Sequence, residues 1–204
     1  MQITIDKKSG IFLIIIVALL AVIMGIGMSR NADHGASGMH KMMDSHEKEA
    51  SLKLSGADIM FLQMMIPHHQ QAVDISDLAL TKSKDPELLA LAADIRDGQS
   101  SEIIQMKLWL SQANADIDMG HSMGDSMGGM LTDAELSDLN SAAGNEFDLL
   151  WLKGMTNHHD GALHMTTMIR DASNKEIKLF GENIVAAQTA QIKQMELMIA
   201  RLNK

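Results

Sequence analysis

Four stretches of the chain carry apolar residues at three- and four-residue intervals with polar residues between them, the pattern of a helix that buries one face. Start signals sharpen their limits. Ser55 precedes the first, with Asp58 three residues on, and Asp85 followed by Pro86 opens the second, where a missing N–H costs nothing. Thr132 with Glu135, and Ser173 with Glu176, read as capping boxes for the third and fourth. The expected helices are 56–82, 86–113, 133–171 and 174–203. Pro67 falls inside the first, where it removes one hydrogen bond. Either a kink beside the residues that follow it or a break between two shorter helices satisfies the sequence.

The pattern also repeats. The run FLQMMIPHHQQAV, Phe61 to Val73, aligns with WLKGMTNHHDGAL, Trp151 to Leu163, about ninety residues later. Ile95, Gln99, Ile103, Met106 and Leu110 match Ile184, Gln188, Ile192, Met195 and Ile199 in the same way. Each unit reads as a helical hairpin too small to bury its own apolar stripe, and stacking the two closes a core. The expected fold is therefore all-α: an up-down four-helix bundle made of two tandem hairpins, 54–113 and 132–204. Short connections within each hairpin make its helices antiparallel.

Ahead of the hairpins, Lys7 and Lys8 precede an apolar run from Ile11 to Met28, and Arg30 follows. About 18 residues at roughly 1.5 Å each approach the thickness of a bilayer's hydrocarbon core. The apolar region of a signal peptide is shorter, about 7–15 residues. Residues 1–28 thus read first as an N-terminal transmembrane helix and second as a cleaved signal. Both readings export the remainder to the periplasm or the outside, because Lys7 and Lys8 hold the short tail in the cytoplasm. Residues 29–53 and 114–131 lack helical periodicity and read as linkers rich in Gly, His and Met.

Composition changes the picture in one respect. Among 204 residues there are 19 Met and no Cys. Cores ordinarily use Met sparingly, because its flexible side chain specifies packing poorly. A Met-preferring core explains those in the helices but not those in polar linkers. The absence of Tyr, with only 2 Pro, agrees with helix. A net charge of −9 argues against nucleic acid as a partner. Lack of thiols is compatible with an oxidising compartment.

Residues three and four apart share a helix face. Met65 therefore lies beside His68 and His69, and Met64 beside His68, while Met155 stands in the same relation to His158 and His159. His164 adds a donor one turn before Met168. On the partner helices, Gln99, Glu102 and Met106 form one stripe, and Gln188, Gln191 and Met195 its counterpart. Amides and carboxylates are poor core residues unless they bond something, and a histidine of the facing helix is a natural partner. The linkers repeat the donor types: His34, Met39, His40, Met42, Met43 and His46, then Met119, His121, Met123, Met127 and Met130. Thioether sulfur selects Cu(I) or Ag(I), and imidazole widens the choice to Cu(II) or Zn(II). A lone histidine on a helix is usually a satisfied core residue; a doubled Met/His-His pattern in two copies points to ligands instead. No Glu-x-x-His of a di-iron bundle and no His-Glu-x-x-His occurs.

MMIPHHQQAV followed by DPELLALAADIRDGQSSEIIQMKLWL resembles the domain-of-unknown-function family 305, and the likeness runs in two copies from about Leu54 to Asn203. The resemblance implies an exported, ferritin-like helical bundle, and some members, the CopM type, are periplasmic copper-binding proteins. It implies Met65, His68 and His69, with Met155, His158 and His159, as ligands. The second copy departs from the pattern, with Asn157 in place of Pro67 and Gly154 in place of Met64, so a second site of weaker binding or different shape is expected.

The expected function is non-enzymatic capture of Cu(I), with Ag(I) or Cu(II) as further cargo, for tolerance or for transfer to a protein partner. Two rivals are a metal-dependent oxidase in the bundle and a structural module whose Met-rich faces bind proteins.

Overall fold

The computed structural model of the protein describes residues 52–118 and 128–204. Among these residues every regular element is helical: α1 (Gly56–Lys82), α2 (Pro86–Gln112), α3 (Asp133–Ser141), α4 (Gly144–Thr166), a 3₁₀ turn (Thr167–Ile169) and α5 (Lys175–Leu202). The expected N-terminal membrane helix, Ile11 to Met28, lies outside the described residues. Among those described, no helix is long and apolar enough to cross a membrane.

The capping signals set three of the helix starts. Ser55 and Asp58 close a capping box at α1, Thr132 and Glu135 do so at α3, and the Asp85 carboxylate accepts from Glu87 and Leu88 at α2. At α5 the cap is Asn174 rather than Ser173: the Asn174 side-chain oxygen accepts from the N–H of Glu176 and Ile177. α1 runs unbroken through the exposed Pro67, so the reading of two shorter helices does not hold.

The expected third helix, 133–171, is interrupted. α3 ends at Ser141, Ala142 and Ala143 are extended, and Gly144 opens α4 with φ +58°. That conformation favours glycine. The corner places Leu139 and Ala142 in the core, and the Lys82 ammonium donates to the carbonyl of Ala142 at 2.9 Å and to that of Asn140. At the far end α4 tightens into the 3₁₀ turn, whose Ile169 is buried.

α1 packs along α2, and α4 along α5, so each sequence repeat is one hairpin. The hairpins meet through α1 and α4, which run in opposite directions. The Trp151 Nε1–H donates to the carbonyl of Ile75 at 2.9 Å and the His158 Nε2–H to that of His68 at 2.9 Å, descending α1 as α4 ascends.

The apolar core divides in two along the bundle. One cluster joins Ala72, Ile75 and Ala79 of α1 to Leu88–Ile95 of α2, Phe147–Met155 of α4, and Met195 and Met198 of α5. The other joins Phe61–Ile66, Ile103–Leu110, Ala162–Ile169 and Ile177–Ile184. The clusters exchange under the repeat: Trp151, Leu152 and Met155 of the first correspond to Phe61, Leu62 and Met65 of the second. Each such buried side chain contributes about 1.5–3 kcal/mol of hydrophobic stabilisation.

Candidate metal centre

Between the two clusters all four long helices place polar side chains in the interior. α1 supplies His68 and His69, α4 supplies His158 and His159, α2 supplies Gln99, and α5 supplies Gln188. The four imidazoles are fully buried. The rings of His68 and His158 lie 3.8 Å apart between centroids, tilted by 39°, and each is about 6.4 Å from the second histidine of its own helix.

Every Nε2 has an oxygen partner. His68 donates to the carbonyl of Gly128 at 3.2 Å and His158 to that of His68. His69 donates to the Glu102 carboxylate at 2.7 Å and His159 to the Gln191 amide oxygen at 2.8 Å. Glu102 and Gln191 are the stripe residues of the facing helices, the positions from which the sequence pattern led us to expect partners. Because each acceptor is an oxygen, each Nε2 carries a proton, and a neutral ring so held keeps its free lone pair on Nδ1. All four Nδ1 atoms are buried without a hydrogen-bond partner, as are both amide atoms of Gln99 and of Gln188. Leaving such groups unpaired costs about 1–3 kcal/mol each, so the layer works against stability.

Burial keeps His68, His158 and His159 neutral. Desolvation, then the neighbouring His69, push His68 down to about 3 from its ordinary 6.5. His159 is pushed down to about 4 by burial, against the raising effect of its hydrogen bond to Gln191. His158 lies well below its ordinary value, by burial and then by His68. Neutral imidazole with a bare nitrogen is the form that binds metal.

The methionines flank this layer. Met65 and Met106 are fully buried in the second cluster, and Met155 and Met195 in the first. The Thr156 hydroxyl points at the Met195 sulfur, 3.8 Å away. Met64 and Met168 are half-buried against the second cluster, and His164 is exposed. The linker residues His34, Met39, His40, Met42, Met43, His46, Met119, His121, Met123 and Met127 lie outside the described residues. Among the described residues, no three His, Asp or Glu groups converge as a ready-made cation site. An ion held here would have to draw on thioethers and the Nδ1 atoms, a donor set that suits soft ions. A surface depression of about 420 Å³ at Lys53 and Asn174 is not lined by the histidines.

Sequence reading missed how the second linker ends. Gln71 grips Leu131 twice, accepting from its N–H at 2.8 Å and donating to its carbonyl at 2.9 Å. Gly128 and Gly129 lie so close to α4 that a Cβ on Gly161 would stand 1.7 Å from the Gly128 carbonyl oxygen. A Cβ on Gly154 would meet the Leu131 side chain at 3.0 Å. The glycines that mark the second copy thus seat the linker, whose Gly128 carbonyl covers His68. Gly154 and Gly161, seven residues apart on one helix face, were the available signal.

Comparison with known proteins follows the same lines. A family model described as "Domain of unknown function (DUF305)" matches residues 58–199. The fold is similar to that of a DUF305 protein of Streptomyces coelicolor described as secreted, at 30% identity and TM-score 0.68 over 72% of this chain and 92% of that one. A DUF305 fragment from Deinococcus radiodurans gives 29% identity and TM-score 0.67 over 72% and 97%. CopM in its Cu(II)-bound form gives 34% identity and TM-score 0.63 over 71% of this chain and 96% of CopM, and Cu(I)- and Ag-bound forms of CopM are similar too. The uncharacterized protein L153 of Acanthamoeba polyphaga mimivirus is 38% identical over 55 residues, 27% of this chain and 36% of that protein, so this match spans about a third of the relative.

Proposed function

The chain belongs to the DUF305 family, and on that premise we propose that it captures copper, as Cu(I) first and Ag(I) or Cu(II) besides, outside the cytoplasm. One observation carries the reading: four buried imidazoles whose Nε2–H groups are all held by oxygen acceptors and whose Nδ1 atoms have no partner. A fold that needed only a core would fill these positions with aliphatic side chains. Holding the far nitrogen by hydrogen bond while the near one stays free is how metal-binding imidazoles are oriented.

The donors fit the cargo. Nδ1 of His68, His69, His158 and His159 supplies borderline nitrogen, and Met65, Met106, Met155 and Met195 supply uncharged, soft sulfur on either side. Cu(I) and Ag(I) accept both. The bound forms of CopM support the same class of ion. In this reading the Met- and His-rich linkers, among them His40, Met43, His121, Met123 and Met127, gather ions, and the bundle retains them. The role is that of a binding protein rather than an enzyme. The secreted description of the Streptomyces relative supports export, with Ile11 to Met28 as the tether.

The test is titration of the whole protein with Cu(I) against a competing chelator, beside a variant in which Met65, His68, Met155 and His158 are Ala. Tight binding lost in the variant is expected. Binding that is weak, or unchanged in the variant, overturns the proposal. Ions held only in the native state raise the melting temperature, by about 2.7 kcal/mol of stability at a hundredfold excess over Kd.

A further inference from the structure

The two halves of the histidine layer share one plan but differ in the acceptor of the first histidine, Gly128 for His68 and His68 for His158, and in the charge behind the second. His69 and His159 occupy equivalent repeat positions, are both fully buried, and both donate from Nε2 to the facing helix. The acceptors occupy equivalent positions as well, half-buried at the rim of the layer. On one side the acceptor is the Glu102 carboxylate, and on the other the Gln191 amide. At this pair of positions geometry is matched to 0.1 Å, at 2.7 and 2.8 Å, and the two differ in the formal charge behind the imidazole.

We propose that this pair sets the charge preference of the two halves: the His69–Glu102 half favours doubly charged copper, and the His159–Gln191 half favours singly charged copper. The inference rests on the metal-binding reading above and adds which oxidation state each half prefers. A carboxylate that accepts the imidazole N–H draws the proton toward itself and makes Nδ1 a stronger donor. It also places a negative charge one ring away from the ion, which lowers the energy of Cu(II) more than that of Cu(I), because the Coulomb term scales with the charge of the ion. A neutral amide orients its ring equally well but supplies neither effect. With thioethers nearby, the amide-backed half suits the softer, singly charged ion. Glu102 and Gln191 are positioning residues here, acting through His69 and His159.

The experiment compares wild type with E102Q, E102D, Q191E and the charge-swapped double variant E102Q/Q191E. Each full-length protein is titrated with Cu(II) and with Cu(I) under matched chelator competition, and the Cu(II) sites are followed by electron paramagnetic resonance. Melting of the metal-free proteins checks the fold. E102Q is expected to lower Cu(II) affinity roughly 10- to 100-fold, the range for outer-sphere partners of a metal ligand, with a much smaller change for Cu(I). E102D restores the Cu(II) signal, Q191E adds a second tight Cu(II) site, and the swapped variant regains one. Equal loss of both ions in E102Q, no loss of either, or a Q191E protein with unaltered Cu(II) binding overturns the inference while leaving the capture of copper standing. If wild type holds neither ion, the parent reading fails, and this one with it.

Discussion

The ring centroids of His68 and His158 lie 3.8 Å apart, with the rings tilted by 39°, and the two residues are the same position of the two sequence repeats. They sit where α1 and α4 cross, so the internal repeat of the chain becomes an approximate two-fold axis running between two histidines. The axis exchanges the two apolar clusters, and the polar layer lies on it. The layer is costly: its Nδ1 atoms, and the amides of Gln99 and Gln188, have no hydrogen-bond partners.

That cost can be exposed directly. Replacing His68 and His158 together by Leu exchanges orphaned polar groups for aliphatic contacts, each such group being worth about 1–3 kcal/mol. The metal-free double variant is expected to melt at or above the wild-type temperature while losing copper binding. A clear fall in the metal-free melting temperature would show the histidines to be structural.

Acid should weaken the metal-free protein in a defined window. Unfolded, each histidine takes up a proton near 6.5; folded, His68 holds off until about 3 and His159 until about 4. Between these values the unfolded chain binds more protons, so the stability is complete above pH 6.5 and declines as pH falls. At pH 5 the loss is on the order of 2 kcal/mol for each of these histidines. Urea midpoints at pH 7.5 and 5 measure it, and equal midpoints would contradict the burial of neutral rings.

The linker end is open to a single-atom test. A Cβ at Gly161 collides with the Gly128 carbonyl oxygen, so Gly161→Ala must displace the segment that covers His68. We expect a loss of about 1–3 kcal/mol, in line with a buried steric conflict and a lost hydrogen bond. Faster release of bound copper to a chelator accompanies it. Gly128 and Gly129 remaining protected in hydrogen exchange would argue against displacement.

Trp151 checks the two-fold relation. Its repeat partner is Phe61, which fills the equivalent place without an N–H. Trp151→Phe should therefore cost little beyond the bond to the Ile75 carbonyl, about 0.5–1.5 kcal/mol, whereas Trp151→Ala costs about 3–5 kcal/mol. Chemical denaturation of both variants decides, and a Phe variant as damaged as the Ala variant would refute the equivalence.

Much of this was legible in the residues alone. Periodicity located the long helices, because an apolar stripe of that spacing can be buried in few other ways, and Ser55, Asp85 and Thr132 marked starts through local hydrogen bonds that need no tertiary context. The repeat foretold two hairpins, and the stripes of the facing helices foretold partners for histidine at Glu102 and Gln191, though not at Gln99 and Gln188, whose amides bond nothing. Other features belong to the folded state. The corner at Gly144 depends on what Leu139 and Ala142 can bury against. The antiparallel crossing of α1 and α4 brought His68 onto His158 and aligned four helices' polar positions at one level. Linear spacing cannot express that meeting, since it joins residues ninety positions apart through packing alone. The seating of Gly128 on Gly161 is of the same kind: a close approach between backbones is invisible in either segment until the other is beside it.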